Sequence, residues 1–277
     1  MENEEQTDWD GKIGFAVSTA AFFPRPLEEI FAILQQQPWD GIELMPQAPN
    51  ECRPAFADEL LRRAGDRFSF CAIHFPSILQ PFLYNPYPSA QRFAQTLCQD
   101  LADLGGRLAC DVIVVHAPKG RMSTGRFLEV TRSNLAYLCD CSAQHGIKVG
   151  LENLTSSPLA RTSSALKSFA ASLNRPNLGY VLDVTHAHET GQSPVRDFVE
   201  QLPNLVHVHA SDYSPEQGQH QVPGAGVVDW PALAGALHKA GFDGSICLEL
   251  LPETLGKHPA TTLCRTAAFL QPLLTSR

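Results

Sequence analysis

The feature that most constrains the fold is an eightfold alternation of strand-like and helix-like segments. Each short run of β-branched and apolar residues is followed by a polar or Gly/Pro-rich loop and then by a stretch of helical period. The predicted strands are KIGFAVS (12–18), GIELM (41–45), FSFCAIH (68–74), DVIVVH (111–116), KVGLEN (148–153), LGYVLD (178–183), LVHVH (205–209) and SICLEL (245–250). The predicted helices are 27–35, 56–64, 90–104, 127–144, 164–173, 194–202, 230–240 and 258–273.

This alternation predicts parallel strands joined by crossover helices. Eight such units fit a single (β/α)8 TIM barrel, one domain over residues 1–277. A doubly wound open sheet is the alternative that the pattern leaves. Residues 1–11 are expected to form a flexible N-terminal extension, and no linker or second domain is visible in the sequence.

Composition and charge narrow the class of protein. The longest apolar runs fall short of the ~18 residues that a membrane span needs, and the N-terminus MENEEQTDWDGK lacks the basic start of a secretory signal. Eight cysteines without a CxxC pair are predicted to be reduced, so a cytoplasmic location is expected. A net charge of −8 offers no uniform basic field, so a small-molecule substrate is expected and nucleic acid is not.

Six successive predicted strands, from the third to the eighth, end on residue types that bind metals. These residues are His74, His116, Glu152, Asp183, His209 and Glu249. Their spacing is about one strand–helix unit, and catalytic side chains of such barrels lie at the carboxyl ends of the strands. A single strand-terminal carboxylate could equally cap the next helix. The coincidence of six favours one shared site.

The charge of this set points to a cation. Glu152, Asp183 and Glu249 in one cavity would repel one another and raise one another's pKa unless a divalent ion compensated them. Three carboxylates and one imidazole favour Mn²⁺, Mg²⁺ or Co²⁺, and zinc remains compatible with the set. At the end of the second strand, Glu43 is a candidate to line the pocket.

Two further residues near the site are read as structural or solvated. His207 lies two residues before His209, on the same face and one layer deeper, and is predicted to be a hydrogen-bonded core histidine. Asp212 is read as a solvated loop charge. The segment HFPSILQPFLYNPYP (74–88) is a candidate lid or oligomer contact, which leaves a homo-oligomer open.

Eight motifs resemble those of the xylose isomerase-like TIM barrels over nearly the whole chain. They are WDGIELM, IHFP, VVHAPKG, GLENLT, LDVTHAHETG, HVHASD, HQVPGAGVVDW and ICLEL. That superfamily includes sugar isomerases, ketose 3-epimerases, inosose dehydratases and endonuclease IV. The resemblance implies one divalent ion held by Glu152, Asp183, His209 and Glu249, and a substrate-contacting histidine at His186.

The resemblance favours a metal-dependent isomerase or epimerase acting on a small polyhydroxylated carbonyl compound. It implies that Glu152 and Glu249 transfer protons next to a metal-polarised carbonyl. Four histidines would then hold substrate oxygens: His74, His116, His186 and His220. The same site could instead expel a hydroxyl group, as a dehydratase or lyase does. A non-catalytic barrel is disfavoured because all four metal ligands are present.

Endonuclease IV provides the second interpretation, a metal-dependent hydrolase of abasic sites in DNA. The chain resembles that enzyme at nearly all of its zinc ligands, which fall on His74, His116, Glu152, Asp183, His186, His209, His220 and Glu249. It departs at Gly218, where the enzyme has an aspartate two residues before the histidine that matches His220. The chain also lacks the basic loops expected to grip phosphates.

Overall fold

The computed structural model describes residues 14–201 and 204–275 and contains a closed barrel of eight parallel strands. In chain order the described strands are β1 (Gly14–Ser18), β2 (Gly41–Leu44), β3 (Ser69–His74), β4 (Val112–His116), β5 (Lys148–Glu152), β6 (Leu178–Asp183), β7 (Leu205–Ala210), β8 (Asp212–Ser214), β9 (Gly218–Gln221) and β10 (Ser245–Leu248). Of these ten, β8 and β9 form a separate antiparallel hairpin, and the other eight form the barrel. Barrel order follows chain order from β1 to β7, and β10 pairs with both β7 and β1. The predicted (β/α)8 barrel is confirmed, and the open-sheet alternative is excluded.

Helices follow the barrel strands along the chain. They are α1 (Leu27–Leu34), α2 (Phe56–Ala64), α3 (Pro81–Tyr84), α4 (Pro88–Leu108), α5 (Gly125–Ala143), α6 (Ser163–Leu173), α7 (Val184–Glu189), α8 (Pro194–Gln201), α9 (Trp230–Lys239), α10 (Pro252–Leu255) and α11 (Pro259–Thr275). All eight predicted helices form. The short helices α3, α7 and α10 and the β8–β9 hairpin were not predicted, because segments of three to six residues are too short to show a period.

One prediction and parts of two others fall outside the described residues. These are the N-terminal extension over 1–11, the first residues of the first predicted strand, and the last residue of the predicted helix 194–202. Within the described chain all eight cysteines are free thiols, and only Cys264 is exposed. Across that same part of the chain, no helix combines the length and apolarity needed to cross a bilayer.

The barrel interior below the site is filled by small apolar side chains. These form a separate cluster of Ala16, Cys71, Ala72, Val112, Val114, Val181 and Cys247. A glycine is required in β5, because a Cβ at Gly150 would lie 2.5 Å from Cγ2 of Val181. This narrow apolar floor leaves the carboxyl ends of the strands as the place where polar side chains meet.

Candidate functional site

Four side chains meet at the carboxyl ends of four neighbouring strands. Glu152 ends β5, Asp183 ends β6, His209 lies in β7, and Glu249 follows β10 by one residue. Each offers one ligand atom, and these four atoms all lie within 4.8 Å of one another. The four residues that the sequence singled out as metal ligands therefore converge on one point.

Asp183 is fixed at this point by the neighbouring strand. Asn153 donates from Nδ2 to the Asp183 carbonyl at 2.9 Å and accepts from the Asp183 N–H at 2.6 Å, so its amide continues the pairing of β5 with β6. The sequence analysis did not assign a role to Asn153, because only its position next to Glu152 indicates that it lies near the site. It orients the backbone from which the Asp183 carboxylate projects.

His74 and His116 face the carboxylate of Glu152. Nδ1 of His74 lies 2.9 Å from the carbonyl of Phe75, and Nδ1 of His116 lies 3.1 Å from Oε1 of Gln80. Both acceptors call for a proton on Nδ1, which leaves each Nε2 as the atom facing the site. These Nε2 atoms lie 3.5 Å and 2.9 Å from Oε2 of Glu152. The three residues form a second group of converging ligand atoms.

The segment 74–88 contacts His116 through buried side chains. Besides Gln80, the Tyr84 hydroxyl donates to the His116 carbonyl at 2.8 Å, and both side chains are buried. Ile78 and Tyr87 on the same segment are 69% and 68% exposed. One side of the segment therefore holds His116, a role that neither sequence interpretation included.

His186 and His220 lie on the other side of Asp183. Nδ1 of His186 lies 3.0 Å from the carbonyl of Asn153, and the His186 ring packs edge-to-face on His220 at 5.5 Å. Nδ1 of His220 lies 3.2 Å from the Ser211 hydroxyl, and its backbone is left-handed, with φ 55°. Asp183, His186 and His220 form a third group of ligand atoms.

The loop that carries His220 is organised by Asp212. We expected Asp212 to be solvated, but its side chain is fully buried and accepts four hydrogen bonds. Their donors are the backbone N–H groups of Tyr213, Gly224 and Val228 and the indole N–H of Trp230. The expectation was wrong because the partners lie up to 18 residues downstream, where a local reading does not find them.

Glu43 differs from its expected place on the pocket wall. Its side chain is fully buried, with Oε2 at 2.9 Å from Nε2 of His209 and 3.1 Å from Nε2 of His207. Glu152 and Glu249 approach the other edge of the same ring, at 3.3 Å and 3.1 Å from Nδ1 of His209. Glu43 thus lies behind the ligand group, on the side of the barrel interior.

The carboxylates of the site have strongly shifted pKa values. Burial raises the pKa of Glu152, but the neighbouring His116 and His209 outweigh it and hold the pKa well below its usual range. Burial likewise opposes ionisation of Glu249, yet His209 lowers its pKa to about 2. Burial raises the pKa of Asp183, and the charges of Glu152 and Glu249 add to that rise.

The pKa values of His209 and His186 are raised, whereas burial lowers the pKa of His116. Burial lowers the pKa of His209, but three surrounding carboxylates outweigh it and hold the pKa well above its usual range. Burial also opposes protonation of His186, yet the negative charges of Asp183 and Glu152 raise its pKa to about 10. Imidazolium protons therefore offset the clustered negative charge when no other cation does.

The donor set fits a divalent cation in place of those protons. Several buried atoms of the cluster have no hydrogen-bond partner within the described chain, namely both carboxylate oxygens of Glu152, Oδ2 of Asp183, Nδ1 of His209 and Nε2 of His74. Buried carboxylate oxygens without donors are costly unless a cation compensates them. Three carboxylates and one imidazole make a mostly hard-oxygen ligand set.

Comparison with known proteins gives matches along most of the chain. An uncharacterized protein of Methanocaldococcus jannaschii is 25% identical over 258 residues, which cover 89% of this chain and 86% of that protein. A ketose 3-epimerase of Arthrobacter globiformis is 31% identical over 156 residues, covering 54% of this chain and 51% of that enzyme. The D-psicose 3-epimerase structure from Clostridium cellulolyticum H10 superposes with a TM-score of 0.79 at 17% identity, covering 95% of this chain and 99% of that one.

At 17% sequence identity, this superposition shows that the two proteins share a fold. The family assignment comes from the sequence: the model of the xylose isomerase-like TIM barrels matches residues 31–273. That match contains seven of the eight barrel strands and every residue of the converging ligand groups. The chain therefore belongs to the xylose isomerase-like TIM barrel family.

Proposed function

We propose that this protein is a divalent-metal-dependent isomerase or epimerase of a small sugar, sugar phosphate or polyol-derived ketone. The observation that carries the proposal is the arrangement of Glu152 and Glu249 around one point together with Asp183 and His209. In the barrel, β5 and β10 are separated by β6 and β7, so the two glutamates approach this point from different sides. A carbon atom held there would have a carboxylate available on each face.

Glu152, Asp183, His209 and Glu249 are the residues that would hold the ion. When bound, the ion acts as a Lewis acid that polarises the carbonyl oxygen of the substrate and acidifies the neighbouring C–H bond. The mostly oxygen donor set favours Mn²⁺, Mg²⁺ or Co²⁺. One ion per chain is sufficient for this chemistry.

The two glutamates supply the proton transfers. One carboxylate removes the proton from the carbon next to the carbonyl, and the electron pair of that C–H bond becomes the C=C bond of an enediolate. The other glutamate, which must take up a proton from solvent before this step, then returns that proton to carbon. Return to the opposite face of the same carbon gives an epimer, whereas return to the neighbouring carbon gives an aldose–ketose isomer.

Histidines around the glutamates would bind the substrate's hydroxyl groups. His186 uses Nδ1 on the Asn153 carbonyl, which leaves Nε2 for a ligand. His116 and His220 are partly exposed at the site, whereas His74 is fully buried behind Glu152. Donors placed this way can hold the developing negative charge on an enediolate oxygen.

The relationship to a ketose 3-epimerase supports this reaction class for the part of the chain that it covers. The same proton abstraction followed by loss of a hydroxyl group from the adjacent carbon would give a dehydratase or lyase. Product analysis separates the two, because a dehydratase product is one water lighter than its substrate.

The test is turnover in D₂O. The protein, loaded separately with Mn²⁺, Co²⁺ or Mg²⁺, is incubated with a panel of ketoses, inososes and sugar phosphates. We expect one substrate to give a stereoisomer or structural isomer with deuterium on the carbon next to the carbonyl, read by NMR and mass spectrometry. A substrate converted without deuterium on carbon would contradict the two-glutamate mechanism and would indicate either a hydride shift or hydrolysis.

Hydrolysis of abasic DNA is a second candidate, favoured by the two additional ligand groups at His74–His116–Glu152 and Asp183–His186–His220. The glycine at position 218 offers no side-chain ligand to complete the latter group. Duplex DNA with a single abasic site tests this candidate directly. We expect no cleavage above that of a protein whose Glu152 is changed to glutamine.

A further inference from the structure

A buried chain of polar groups runs from His209 into the barrel interior. Glu43 lies behind His209, and its Oε2 accepts from Nε2 of His209 at 2.9 Å, across 166 residues of sequence. Nε2 of His207 approaches the same oxygen at 3.1 Å. All three side chains are at most 1% exposed.

The surroundings of Glu43 make an ionised carboxylate costly there. The barrel interior next to this layer consists of small apolar residues such as Ala16, Ala72 and Cys247. A well-packed apolar residue in place of a buried ion pair is often neutral or stabilising. Stability alone therefore does not explain a glutamate at this position.

The contact of Glu43 determines which nitrogen of His209 carries the proton. A neutral imidazole has one N–H group, and a carboxylate on Nε2 requires that N–H to be Nε2–H. Nδ1 then presents a lone pair, and Nδ1 is the atom near Glu152 and Glu249. A carboxylate behind a metal-binding histidine also orients the ring and makes its ligand nitrogen more basic.

We propose that Glu43 is a positioning residue that commits His209 to bind the metal through Nδ1, and that His207 steadies the Glu43 carboxylate from the other side. This inference rests on the proposed metal-dependent function. It assigns Glu43 a role behind the metal ligands, instead of a contact with substrate. His207 and His209 lie on the same face of β7, with their rings at 90° and 5.2 Å apart, so one carboxylate oxygen can serve both.

Zinc-loaded protein labelled with ¹⁵N-histidine provides the first measurement, because Zn²⁺ is diamagnetic. We expect the NMR spectrum of His209 to show Nδ1 bound to zinc and Nε2 protonated, with its proton shifted downfield by the hydrogen bond to Glu43. Coordination through Nε2 would overturn the inference. This result needs no variant, so it holds even if substitution at Glu43 prevents folding.

Glu43→Gln provides the second measurement. The amide keeps the shape of the side chain but loses the negative charge. Its oxygen is therefore a weaker hydrogen-bond acceptor for His209, and its NH₂ group cannot accept at all. We expect zinc affinity, measured by competition with a chelator, to fall about 10- to 100-fold. The Nε2 proton of His209 is also expected to move upfield.

Asp197→Asn is the matched control. Asp197 is a buried carboxylate on α8 that accepts from the Ser163 hydroxyl at 2.8 Å, outside the barrel. Both variants are expected to lose stability, but only Glu43→Gln is expected to lose zinc affinity. Equal affinity in Glu43→Gln and wild type would overturn the positioning role alone, whereas a wild-type protein that binds no divalent ion would overturn the proposed function with it.

Discussion

Oδ1 of Asp183 accepts a hydrogen bond of 2.6 Å from the backbone N–H of His186, while its Oδ2 is buried without a hydrogen-bond partner in the described part of the chain. One oxygen therefore caps α7. The other is the oxygen left free of hydrogen bonds, within the described residues, for the group formed with Glu152, His209 and Glu249. A buried strand can end on this carboxylate because the helix cap and a bound cation would divide its two oxygens between them.

The first prediction is that Asp183→Asn removes the metal and leaves the fold. Asparagine is also a good N-cap, so α7 keeps its hydrogen bond, but the amide has lost the negative charge that attracts the ion. Protein purified without chelator is expected to carry close to one divalent ion per chain, and the variant far less. Metal analysis with circular dichroism on the same samples tests this, and unchanged metal content would remove Asp183 from the site.

The second prediction concerns the two glutamates. Glu152→Gln and Glu249→Gln are each expected to lower the rate by ~10²–10⁴-fold, because an amide cannot take up or return the proton. Both residues are also predicted metal ligands, so metal occupancy is measured on the same samples. A variant that keeps its metal and loses the rate assigns that residue to proton transfer, and full activity in Glu152→Gln would exclude it.

The third prediction is that metal uptake releases protons. In the metal-free protein the surrounding carboxylates outweigh burial and hold the pKa of His209 well above its usual value, so a proton competes with a metal for this ring. Metal affinity is therefore expected to rise with pH through the neutral range. Calorimetry in buffers of different ionisation enthalpy measures the protons released, and a heat independent of buffer would contradict the prediction.

The fourth prediction separates one ion from several. We expect a single tightly bound ion and a substrate-binding role for the histidines next to Glu152. His116→Asn is then expected to raise KM while leaving about one ion per chain. His145→Asn is the matched control, because that histidine pairs with Asp103 on the outer surface. Two or three tightly bound zinc ions per chain, with one lost in His116→Asn, would favour the hydrolase.

The fifth prediction concerns the loop that carries His220. Asp212→Ala leaves the indole of Trp230 and three backbone N–H groups without their acceptor, at a cost of about 1–3 kcal/mol for each buried donor that finds no other partner. Asp229→Ala in the same loop removes only an exposed cap of α9 and is expected to cost roughly 1 kcal/mol. Urea unfolding of both variants compares them, and equal losses would contradict the organising role of Asp212.

The sequence determined the barrel and the place where its candidate ligands meet. Regular alternation of strand and helix patterns left a single closed topology as the favoured arrangement, and in that topology residues at strand ends share one mouth. This rule placed six strand-end residues at that mouth, and the family resemblance then singled out Glu152, Asp183, His209 and Glu249 among them. Their placement at one end of the barrel depends on the backbone alone.

Only the tertiary structure decided which residues contact and orient the residues of the site. Glu43 meets His209 across 166 residues, Gln80 meets His116 across 36, and Asn153 meets Asp183 across 30. Each contact depends on the direction of a side chain and on which edge of a ring or backbone group it reaches. Periodicity and spacing carry no information about either, which is why Glu43 was expected at the pocket wall and Asp212 in solvent, while both are buried as hydrogen-bond acceptors.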